Sequence, residues 1–230
     1  MPGLKALAIG LALLDFAPVF FLALGLFFLA QLVDRLEPRC RQMALAALVL
    51  ITLGGLARAA SQLAVAVVGE GVPLLDTSLH VFGGPGFALM AAALIRARAT
   101  EAGRVVSRDP WIAPTALSWL FLGVAYYLNS RIETGLWSLV LVILALAGSA
   151  LMGLAAARLG WRRQLHMAAA FFAMNVLGSV LVAILRPFAQ NVWIHLVEVV
   201  LNLASQAAFT FAAWRVAAEF NARVGPTAPV

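Results

Sequence analysis

Apolar runs of bilayer-crossing length recur along almost the whole chain, over residues 7–32, 43–68, 77–95, 111–128, 136–157, 165–185 and 191–216. A helix rising 1.5 Å per residue needs about 20 residues to cross a hydrocarbon layer about 30 Å thick, so each run is close to one crossing. In lipid every backbone N–H and C=O must find its partner inside the protein, which leaves the helix as the form these runs can take. The expectation is therefore an all-α, polytopic membrane protein, a bundle of seven transmembrane helices. With 63% hydrophobic and 11% charged residues among 230, and short connections between runs, no separate soluble domain fits. Residues 1–220 read as one seven-helix transmembrane domain and 221–230 as a short cytoplasmic tail. The apolar stretch reaching Val33 is too long for the core of a signal peptide and reads as the first crossing.

Charge gives the orientation. Arg35, Arg39, Arg41, Arg96, Arg98, Arg104, Arg108, Arg158, Arg162, Arg163, Arg215 and Arg223 fall on one side of the alternating runs, and Lys5, Arg131 and Arg186 on the other. Basic residues mark the cytoplasmic face, so the N-terminus is expected outside and the C-terminus in the cytoplasm of a cell membrane of bacterial inner-membrane type. The pI near 11 has the same origin, and a nucleic-acid partner is not expected. The single Cys40 rules out an internal disulfide framework.

Against this apolar background the polar residues stand out. In the last run Asn191, His195, Glu198, Asn202 and Gln206 fall on one face of a helix, a stripe that must turn inward in lipid. The first run carries Asp15 three residues before Pro18, whose missing N–H predicts a local break. The second carries Arg58 and Gln62, one turn apart on one face. In the third, His80 precedes Phe82-Gly83-Gly84-Pro85-Gly86-Phe87, and an interruption of the helix at Gly83-Gly84-Pro85-Gly86 is expected. Counting residues from the outer boundary puts His80 and His195 about 5 Å deep, Asp15, Gln62 and Glu198 about 10 Å, and Arg58 and Asn202 about 15 Å. These seven form the expected outward-facing pocket. Two carboxylates against one guanidinium leave a negative charge that a proton or a cation must settle.

Seven crossings with the N-terminus outside, and an acid at Glu198 four residues before Asn202, resemble the microbial rhodopsin layout. Covalent retinal needs an intramembrane amine, which Asn202 does not supply and which Lys5 is placed too far out to provide, so it is excluded. The intramembrane histidines are similar to those of the zinc hydrolases related to alkaline ceramidase. That resemblance implies a Ser-xxx-His and an His-xxx-His pair, whereas Ser78 stands two residues before His80, and Val199 occupies the fourth position after His195. No family is assigned on these residues. The leading expectation is a pocket that binds a small ligand or cation for transport or sensing, with proton coupling. Two alternatives remain: a metal-dependent intramembrane hydrolase with His80, His195 and Glu198 or Asp15 as ligands, and an accessory subunit of a membrane complex. Lipid surrounds the bundle in each case, and an oligomer or partner subunit is compatible with all three.

Overall fold

A computed structural model describes residues 2–70, 72–104, 109–131, 136–162, 164–185 and 192–223. Its helices are α1 (Pro2–Leu14), α2 (Phe16–Leu36), α3 (Arg41–Val68), α4 (Pro73–Glu101), α5 (Ile112–Arg131), α6 (Leu136–Arg162), α7 (His166–Leu185) and α8 (Val192–Arg223), with a 3-10 turn at Pro38–Cys40. Six helices, counting the bent pair α1–α2 as one, are long and apolar enough to cross a membrane. A seventh, α7, is a shorter apolar helix over His166–Val182. The architecture is that of a multi-pass helical membrane bundle. Asn191, together with Arg108, Arg163 and Arg186 of the orientation count and residues 224–230 of the tail, lies outside the described residues.

Packing closes six of the helices into a ring in the order α2, α3, α4, α6, α7, α8 and back to α2. α5 stands outside the ring against α6 and α4, and α1 rests on α3, α8 and α2. The glycines explain how closely these rods approach. A Cβ on Gly54 would lie 3.2 Å from the Leu79 Cα, and one on Gly86 would lie 2.7 Å from Ile51 Cγ1, so α3 and α4 each present a flat spot to the other. Gly148 of α6 meets the backbone of Phe87 and Ala88, and Gly153 meets Val176 of α7. At Gly178 of α7 the Ser205 hydroxyl of α8 occupies the place of a side chain.

The expected interruption of the third crossing does not occur: α4 runs as one helix through Pro85. Proline deprives the Val81 carbonyl of its donor, but the flanking glycines are spent on contacts rather than on a break. Gly84 accommodates Leu144, whose Cδ2 would lie 3.1 Å from an added Cβ, and Gly86 accommodates Ile51. Packing on two neighbours outweighs the weak intrinsic helix preference of the segment.

The ring is unequal along its length. Leu26, Leu29, Met43, Ile51, Met90, Leu94, Met152, Leu159, Phe172 and Phe209 are fully buried in one apolar cluster, all drawn from the half of each rod nearer the arginine-rich connections. At that end Thr100 donates a hydrogen bond to Glu37 Oε2 (2.6 Å) and Arg96 to the Asp109 carbonyl (2.8 Å), tying the connections together. The other half of the ring holds the polar residues. The outer surface is inverted relative to a water-soluble protein: on α8, Val197 and Val200 are 50% and 53% exposed, while Glu198 is 7% exposed.

Candidate functional site

The site begins at the bend between α1 and α2. Pro18 lies in the first turn of α2 and has no N–H for the Leu14 carbonyl, so the helix turns at Asp15. The Asp15 N–H still donates to the Leu11 carbonyl (3.1 Å), which keeps the bend tight. This places the Asp15 carboxylate between α3 and α8, with Oδ2 3.8 Å from His195 Nε2. The other ring nitrogen of His195, Nδ1, is 3.6 Å from Glu198 Oε2 one helical turn on. Glu198 Oε1 is in turn 3.9 Å from Arg58 Nη2 of α3. Four ionisable side chains from three rods thus form a single file: Asp15, His195, Glu198, Arg58.

All three separations, 3.6–3.9 Å, lie within ion-pair range. If His195 is protonated, two anions face two cations and the file is neutral; if it is not, one negative charge remains. Burying such a group is costly without compensation, and the compensating species is a proton or a bound cation.

Below the file the α8 stripe continues. Asn202 follows Glu198 by one turn and faces Gln206, with 3.4 Å between Gln206 Nε2 and Asn202 Oδ1. Asn175 of α7 donates to the Ser205 carbonyl (3.1 Å) and sits 3.4 Å from Gln206 Oε1. Thr210 donates to the Gln206 carbonyl (2.9 Å) and faces the Phe21 carbonyl of α2. Asn175, Gln206 and Thr210 were not among the seven pocket residues expected from the sequence. Gln206 and Thr210 continue the four-residue spacing from Asn202, which is the signal that finds them. Asn175, a lone amide in an apolar run, signals a helix–helix hydrogen bond, and its partners are on α8.

Of the expected seven, Asp15, Arg58, His195 and Glu198 come together, and Asn202 adjoins them along α8. Gln62 lies one turn beyond Arg58, half-buried in the polar half of the ring. His80 is half-buried on α4, which packs on α3 and α6 and, among the described residues, not on α8. The expected metal set of His80, His195 and Glu198 is therefore not assembled. Among the described residues no group of three or more His, Cys, Asp or Glu side chains is placed to hold a metal ion. The physical reason is the helix order: depth brings His80 level with His195, but α2 and α3 separate α4 from α8 around the ring, and both nitrogens of His195 face carboxylates.

Fold and site together define a multi-pass helical membrane bundle with an internal charge cluster. No protein-family model matches the chain, and no curated protein and no solved structure matches it.

Proposed function

We propose that the chain crosses a bacterial-type inner membrane seven times, N-terminus outside and C-terminus in the cytoplasm, and holds an outward-facing pocket that binds a small ligand or cation for transport or sensing. The pocket residues are Asp15, Arg58, His195, Glu198 and Asn202, with Gln62 and His80 in the same half of the ring. The observation that carries this reading is the file Asp15–His195–Glu198–Arg58, four ionisable side chains from three rods gathered by contacts of 3.6–3.9 Å inside a membrane bundle. Intramembrane ionisable residues of this kind are the usual sites of ion and proton handling.

The test is cation-dependent thermal stability of the purified protein, with sodium or potassium exchanged for choline. Wild-type protein gains stability with one of the small cations, and Glu198→Gln loses that gain. Equal melting in all three salts for both forms would leave the cluster a structural one and the accessory-subunit reading the better account.

A further inference from the structure

Below Gln206 the polar stripe of α8 meets an aromatic layer. Asn175 and Gln206 face each other across the α7–α8 contact. Three residues from each, on the same helices and toward the arginine-rich end, stand Phe172 and Phe209. Their rings meet edge to face, 5.7 Å apart at 69°, and both side chains are wholly buried. Phe209 is held from the opposite side by α2, where a Cβ on Gly25 would lie 2.5 Å from its ring, so only glycine lets the ring reach this position. Thr210, one residue beyond Phe209, turns its hydroxyl to the Gln206 carbonyl, with the Phe21 carbonyl of α2 also close. Beyond lie Leu26, Leu29, Met90 and Leu94, all buried and apolar.

We infer that the Phe172–Phe209 pair is the permeation barrier of the bundle, separating a polar half-channel that runs from Asp15 to the Asn175–Gln206 layer from the opposite side of the membrane. The species it holds back is a proton or a small monovalent cation, since a file with two carboxylates admits that class of charge. An apolar constriction of this kind blocks ions by excluding the water that would carry them. The inference rests on the proposed pocket in that the half-channel is the pocket's continuation, but it concerns the floor and not the binding groups.

The experiment uses the full chain reconstituted in phosphatidylethanolamine–phosphatidylglycerol vesicles containing a pH-sensitive dye, with proton entry driven by a valinomycin-clamped potassium potential. Wild-type vesicles stay tight. Phe209→Ala raises proton entry about tenfold or more, and Phe209→Ala combined with Glu198→Gln returns it toward the wild-type rate because the path runs through the file. Phe209→Leu and Phe172→Leu, which keep most of the volume, give smaller increases and serve if the alanine variant does not purify as a monodisperse helical protein. A folded Phe209→Ala variant as tight as wild type overturns the inference, and so does a leak that persists when Glu198 is neutralised. Cation-dependent melting of the wild type together with a tight Phe209→Ala variant would keep the pocket and remove this barrier. A Glu198-dependent leak in a protein that melts alike in all salts would keep the barrier and remove the binding function.

Discussion

Asp15 Oδ2 lies 3.8 Å from His195 Nε2, so the bend in the first rod and the polar face of the last meet at one point of the ring. That bend has a single covalent cause. Pro18→Ala restores an N–H to the Leu14 carbonyl and favours a straight α1–α2 rod, which draws Asp15 away from His195. The variant is expected to melt no lower than wild type, because an interior proline costs a helix about 3 kcal/mol, yet to bind cation less well. Melting curves in sodium, potassium and choline check both halves of the expectation.

Glu198 has His195 on one oxygen and Arg58 on the other. Glu198→Gln removes the carboxylate that Arg58 faces on α8 and is expected to cost about 1–3 kcal/mol, below the range for a fully buried pair because the Arg58 side chain retains 19% exposure. The double variant Arg58→Met with Glu198→Leu removes both charges and is expected to recover most of that loss. A double-mutant cycle by chemical or thermal unfolding in detergent measures the difference, and strictly additive effects would contradict the pairing.

Gly178 is a point of close approach between α7 and α8. An added Cβ would lie 2.9 Å from Ser205 Cβ, an atom fixed to the backbone, so Gly178→Ala must part the helices or distort one of them. A loss of about 1–3 kcal/mol is expected. Gly178→Ala with Ser205→Gly transfers the flat spot to the other helix and should restore stability, which the same unfolding assay reads directly.

Asn175 joins those two helices by donating to the Ser205 carbonyl and to Gln206 Oε1. Hydrogen bonds between membrane helices average about 0.6 kcal/mol with a maximum near 1.7 kcal/mol. Asn175→Leu, similar in volume, is therefore expected to cost about 1 kcal/mol or less, clearly less than Gly178→Ala. The reverse ranking would mean that Asn175 does more than hold the interface.

Much of this was readable before any coordinates. The α8 stripe is a matter of periodicity: His195, Glu198 and Asn202 share a face wherever the helix lies, and burial of Glu198 beside exposed Val197 follows from the solvent being lipid. Asp15 at a break follows from Pro18. What one sequence does not contain is the order of rods around the ring. His80 has the depth of His195 but the wrong angular position, since α2 and α3 intervene and α5 is set outside the ring, where α4 and α6 meet each other directly. Glycine is ambiguous for a related reason. Gly83-Gly84-Pro85-Gly86 is a break in isolation and a packing surface once Leu144 and Ile51 lie against it, and those residues are 35 or more positions away.

The ring closes by pairing its first long rod with its last, and this has a consequence for biosynthesis. α2 and α8 are neighbours although nearly the whole chain separates them, so a nascent chain emerging from the insertion machinery carries Asp15 and Arg58 in lipid until α8 has been made. The carboxylate that faces Arg58 and the imidazole that faces Asp15 both come from this late helix. A chain stalled before α8 would lack Glu198 and His195 and would hold its intramembrane charges in a different arrangement, a mark by which membrane quality control can tell an unfinished copy from a finished one.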